Sequence, residues 1–182
     1  MKNLVDKIIR IFFRNILLKN DKFKNKHKGE TCYIIGNGSS LKYMDLGFFS
    51  DHISIGINHI CIHKDFHKLD TRYYVLVESF FFYPFIKNPY LKKYQENIFG
   101  KLFKKSFKKK SKINLFASLT NIFGFNFKNI NYLYHFGQRN VNKRNIDISD
   151  TFSFMAGGLH AAVGLAISMG FKKAILIGCD YT

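Results

Sequence analysis

No apolar run in this chain reaches the roughly 20 residues that a membrane span needs, and no signal-peptide cleavage pattern follows the N-terminus. Tryptophan is absent, proline occurs 2 times, and acidic residues number 12 against 29 lysines and arginines. The three cysteines, Cys32, Cys61 and Cys179, stand far apart without a CxxC pair. That disfavours a zinc or thioredoxin site and fits a reducing cytoplasm. There is no Walker A loop, no HEXXH, no nucleophile elbow and no Ser-His-Asp constellation. RRM, KH, zinc-finger and helix-turn-helix patterns are also missing, so no specific nucleic-acid recognition is expected.

What is present is a strongly basic chain of 182 residues, with net charge +17 and 47% hydrophobic residues. The length suits one domain with a proper core. The charge suggests anionic partners: nucleotides or an anionic membrane surface. Lysines cluster at Lys19–Lys28 and Lys101–Lys112, where a solvated loop or helix face is the plainer explanation.

Residues 1–30 read as a basic amphipathic helix followed by a charged linker from Lys19 to Glu30. Leu4, Ile8, Ile11, Phe12, Ile16 and Leu17 recur at helical spacing, with Lys7, Arg10 and Arg14 between them. Such a helix either packs on its own domain or lies peripherally on an anionic membrane, at its cytoplasmic face.

Residues 31–182 read as a Rossmann-like α/β domain with a mostly parallel sheet. Short strands are expected at Cys32–Ile35, Ile53–Ile57, Tyr73–Val77, Ile113–Phe116, Ile130–Phe136 and Ala174–Ile177. Pro84–Gly100 is aromatic and expected to be partly helical. The best helix is Gly158–Met169, with Gly170 as its stop.

The chemistry gathers at strand ends. Gly36-Asn37-Gly38-Ser39-Ser40 follows the first strand, where glycines allow a sharp turn and close approach to a ligand. Its N–H groups and hydroxyls suit a phosphate, helped by a following helix; a plain turn with a serine cap is the alternative. Leu41 replaces the third glycine of a dinucleotide loop, and Asn58 stands where an acidic ribose ligand would be, which disfavours NAD. Asn58 suits a base or ribose edge, and Glu78 a sugar hydroxyl or metal ion; for each, a turn or solvated surface group is the alternative. Gly157-Gly158 is suited to bring a helix N-terminus close to a phosphate, with a plain tight turn as the alternative. Gly178 and Asp180 end the last strand, where an aspartate orients a hydroxyl, holds Mg²⁺ or caps a helix. His59, His63 and His67 have i, i+4 spacing and read as a solvated helix face.

The segments IIGNGSSLKYMDLGFF, SIGINHI, RYYVLVES and AAVGLAISMGFKKAILIGCDYT resemble, in order, the MptE-like family of 6-hydroxymethylpterin diphosphokinase-like proteins. Ser39 replaces a usual proline, and Glu78 stands where aspartate is common. The opening and closing motifs are also similar to those of family 42 bacterial sialyltransferases. That resemblance implies a Rossmann-like fold and a nucleotide pocket in which Asn37 and Asn58 contact the nucleotide. No catalytic residue can be carried over, because that group's histidine base lies beyond the Gly-x-Asp strand.

Three functions follow. The first is a transferase using a nucleotide-activated sugar, such as CMP-sialic acid, on a glycan or small-molecule acceptor in bacterial surface-glycan synthesis. The second is a diphosphokinase using ATP and Mg²⁺, the metal held by Glu78 and Asp180. The third is a nucleotide- or membrane-binding module without catalysis. A sheet ending on a strand suggests a chain truncated at its C-terminus, and residues 1–182 alone are expected to be inactive.

Overall fold

The computed structural model describes residues 2–78, 102–108, 112–124, 127–135, 145–153 and 156–180. Among the described residues, six strands form one sheet: β1 (Thr31–Ile35), β2 (Ser54–Ile57), β3 (Thr71–Leu76), β4 (Asn114–Ser118), β5 (Ile130–Leu133) and β6 (Lys173–Ile177). Their order is β5-β4-β3-β2-β1-β6, and every pairing is parallel. The expected α/β architecture is thus the one observed, with strand boundaries shifted by a few residues at most.

Alternation along the strands divides the core. Ile34, Tyr73, Val75 and Phe116 belong to one buried cluster, and Ile35, Tyr74, Leu76 and Leu115 to the other. Consecutive strand residues point to opposite faces, so both faces of the sheet must be covered. On one face lies α3 (Gly158–Ser168), which contributes Ala161, Ala162, Leu165 and Ala166. Its alanines let the helix sit close to β1, β2 and β3. Gly170, with φ +82°, turns the chain out of this helix towards β6.

The other face is covered by short 3₁₀ turns and by α2, described over residues 102–108. Phe103 and Phe107, four residues apart, are both buried there, while Lys104, Lys105 and Lys108 are exposed. This part of the second lysine cluster is therefore the solvated face of a packed helix. Residues 84–100 and Phe136 lie outside the described residues.

Three local expectations differ. The segment from Lys19 to Glu30 is a packed strap rather than a loose linker. Asn20, Phe23 and His27 are buried, and Asn20 Nδ2 donates to the carbonyls of Tyr132 and Ile148 at 2.8 and 2.7 Å. Beyond Gly38 the chain forms a 3₁₀ turn, Ser39–Tyr43, instead of an α-helix. Extended Met44 ends that turn, and the Asp45 carboxylate accepts the Gly47 N–H to start another. His59, His63 and His67 do not share a helix face, because extended His63 separates the turns Ile60–Ile62 and Phe66–Lys68.

The N-terminal helix α1 (Lys2–Leu17) packs beside β5 through Ile9, Phe13, Ile16 and Leu17, against Ala117, Leu119, Tyr132 and Tyr134. Arg10 joins it to the domain by donating to both oxygens of Asp150 at 2.7 and 2.5 Å.

Candidate functional site at the β1–β6 switch point

Strands β1 to β5 are laid down in one direction across the sheet, and the chain then returns through α3 to place β6 on the far side of β1. The strand order thus reverses between β1 and β6. In an open parallel sheet, the loops at such a point part and leave a crevice outside the carboxyl ends of the strands.

A cleft of about 150 Å³ opens there, lined by Gly36, Asn37, Gly38, Ile57, Asn58, Leu159, Gly178, Cys179 and Asp180. Residues separated by more than 120 positions are assembled by three strand ends and the first turn of α3. Gly36 permits the contact between the two loops, since a Cβ there would lie 2.5 Å from the Gly178 carbonyl oxygen. Gly178 has φ +62°, a backbone state that glycine adopts at little cost.

The loop is held by its own partners. Gly36 N–H donates to Ile177 O (2.9 Å), Gly38 N–H to Gly178 O (2.7 Å) and Leu41 N–H to Gly38 O (3.2 Å). Ser40 N–H donates to Asp180 Oδ2 at 2.8 Å, and the Ser39 and Ser40 hydroxyls donate to the same carboxylate. The Ser40 hydroxyl and N–H hold the Asp180 pKa below the usual carboxylate range. These N–H groups do not form an open phosphate cradle as the sequence suggested. Asp180 occupies the anion position, and its charge opposes a phosphate at that point. A carboxylate accepts but does not donate, so the cleft floor suits hydroxyls or an amino group.

Asn58 sits at the end of β2 in the left-handed region, with φ +52°. Tyr74 Oη donates to its carbonyl at 2.7 Å and accepts the Cys61 N–H at 3.1 Å. The Asn58 carboxamide oxygen lies against Gly158, where any Cβ would collide with it. Gly158 is thereby tied to the site through Asn58, while Gly157, with φ +154°, stands just before α3 as its N-cap. Glu78, just past β3, does not line the cleft; its carbonyl accepts from Asn121 Nδ2 at 2.8 Å. Its side chain reaches solvent, yet the surrounding protein raises the carboxyl pKa by desolvation.

A second hollow of about 490 Å³ shares Asn37 and Gly38 with the cleft and is lined also by Ser39, Lys42, His59, His63, Lys64 and Asp65. This volume falls in the ~300–1,000 Å³ range of small-molecule sites. Its basic side chains provide what the cleft floor lacks. Burial lowers the His59 pKa, and its ring lies 5.6 Å from that of Phe103. The sequence pattern hid His59 among three evenly spaced histidines, although its position directly after Asn58 was a usable signal.

The thiols are not activated nucleophiles. Burial pushes Cys32 and Cys61 up to about 12 and raises Cys179. Among the described residues, no three His, Cys, Asp or Glu side chains cluster as a metal site. No helix among them is long and apolar enough to cross a membrane.

Comparison with protein-family models, with curated proteins and with solved structures returns no match for this chain.

Proposed function

We propose that this chain is the nucleotide-binding core of a transferase that uses a nucleotide-activated sugar, such as CMP-sialic acid, in surface-glycan synthesis. The carrying observation is the convergence of Asn37, Asn58 and Asp180 on the β1–β6 switch-point cleft, beside a basic hollow. The nucleoside binds in the cleft, its hydroxyls donating to Asp180 and its base or ribose edge meeting the two asparagines. The phosphate and sugar extend past Gly38 towards Lys42 and Lys64, where the charge is favourable.

The transfer has a simple balance. An acceptor hydroxyl gives its proton to a general base while its oxygen bonds to the anomeric carbon. The bond from that carbon to the nucleotide phosphate breaks, and the nucleoside monophosphate leaves. His59, which follows Asn58 directly and lines the hollow, is placed to accept the proton. The diphosphokinase alternative is less well supported, because it asks Glu78 and Asp180 to share a metal and only Asp180 lines the cleft.

Titration of the isotope-labelled chain with CMP, CMP-sialic acid and Mg²⁺-ATP, followed by amide chemical-shift changes, tests the proposal, since these report weak as well as tight binding. Expected is a response to both cytidine nucleotides that Asn58→Ala removes. A response to Mg²⁺-ATP alone would transfer support to the diphosphokinase, and no response to any nucleotide would overturn both.

A further inference from the structure

The helix α1 carries more apolar surface than its packing uses. Ile9, Phe13, Ile16 and Leu17 turn towards the domain, but Leu4 (62% exposed), Ile8 (57%), Ile11 (66%) and Phe12 (76%) form a second stripe facing solvent. These four positions follow the i, i+4, i+7, i+8 spacing of one helix face. Exposed Val5 and Leu18 widen the stripe. Exposed Lys7 and Arg14, seven residues apart, run along one border of it, and exposed Lys19 and Lys22 continue the positive charge beyond the helix. The only acidic residue in α1, Asp6, is turned away by its bond from Tyr134 Oη at 2.8 Å.

We infer that this face docks on an anionic lipid bilayer. An apolar stripe bordered by cations matches a surface that is apolar in its interior and negative at its headgroups. A protein partner would satisfy the stripe alone; the bordering lysines and arginine, on a chain of net charge +17, select an anionic surface. Lys7 and Arg14 reach headgroup phosphates with their ammonium and guanidinium groups while their stems stay against the apolar boundary. Arg10 does not take part, because Asp150 holds it to the domain. The helix is already folded and packed through its other side, so docking does not require it to order first. The surface lies beside β5, at the opposite edge of the sheet from β6, and its test is independent of the nucleotide cleft.

Co-sedimentation of the whole chain with phosphatidylcholine vesicles, with and without phosphatidylglycerol, decides the matter. Expected is pelleting with the anionic vesicles only, weakening as salt rises. Ile11→Ser with Phe12→Ser abolishes it, and Lys7→Gln with Arg14→Gln weakens it by roughly thirtyfold. Both variants change exposed side chains and keep the wild-type circular dichroism and melting midpoint. Failure of the wild-type chain to pellet, or pelleting that persists in both variants, overturns the inference. So does a solution dimer that Ile11→Ser with Phe12→Ser dissociates, because a second copy then covers the stripe.

Discussion

Ser40 and Asp180 are 140 residues apart in sequence and joined twice in space, by Ser40 N–H to Oδ2 at 2.8 Å and Ser40 Oγ to Oδ1 at 2.5 Å. They tie the loop after β1 to the loop after β6, and so fix the mouth of the cleft. Asp180→Ala removes the acceptor for both bonds. The expected result is faster hydrogen exchange at the Ser40 amide with the sheet amides unchanged. The carboxyl also titrates below the ordinary aspartate value. A group depressed in the folded state stabilises above its unfolded pKa and loses that contribution as pH falls through the folded one. Carboxyl carbon NMR over the acid range checks the direction, and a midpoint at or above the ordinary value contradicts it.

The close approach of the two loops predicts a contrast between glycines. A Cβ on Gly36 meets the Gly178 carbonyl oxygen at 2.5 Å and the Cys179 sulfur at 3.2 Å, and backbone cannot give way as a flexible side chain does. Gly36→Ala should cost about 1–3 kcal/mol, as overpacking does. Gly29 has φ +84° with open space around it. Gly29→Ala therefore carries only the left-handed backbone cost of about 1–2 kcal/mol. Urea unfolding measures both; nucleotide binding should be lost in Gly36→Ala alone.

Much of this arrangement is legible in the sequence, because strand ends are local features. Ile35-Gly36, Ile57-Asn58 and Ile177-Gly178 each mark an apolar run meeting a turn former, and all three endings line the cleft. The long Ala-rich helix and its Gly170 stop are likewise local. What sequence conceals is where side chains find distant partners. Asn20 looks like one polar residue in a charged stretch, yet its carboxamide crosses to Tyr132 and Ile148. Ser39 and Ser40 look like phosphate ligands, yet they serve Asp180. The apolar period of α1 is visible, but which half of it is buried depends on β5.

Asn20 gives a prediction from that hidden contact. Its amide donates to two buried carbonyls. Asn20→Ala leaves both without their donor and should destabilise the fold by about 1–3 kcal/mol. Asn20→Asp should be worse at neutral pH, because a carboxylate would face two carbonyl oxygens in a buried place. Its deficit should shrink as pH falls and the carboxyl gains a proton to donate. Denaturant midpoints of the two variants across pH provide the check; an Asn20→Asp deficit that does not respond to pH would show that the carboxylate escapes to solvent.

Alkaline pH should loosen the fold through the tyrosines of β3. Burial pushes Tyr73 up to about 12 and raises Tyr74 well above the ordinary tyrosine value. An acid whose folded pKa is raised stays neutral in the fold while the unfolded chain ionises first. Stability is therefore unaffected below about pH 10, the ordinary tyrosine value, and falls as pH rises above it. Tyr74→Phe removes one such group but also withdraws the donor to Asn58 O and the acceptor of Cys61 N–H. At neutral pH it should lose about 1–3 kcal/mol for the unpaired polar groups, and the nucleotide response should fall with it because Asn58 is no longer held at φ +52°. At high pH its disadvantage should narrow, since the wild type alone carries the penalty of keeping Tyr74 neutral. Unfolding curves of both proteins at neutral and alkaline pH separate the two effects. A gap between them that stays constant with pH would mean that Tyr74 matters only as a hydrogen-bond partner, while no gap at all would remove it from the support of Asn58.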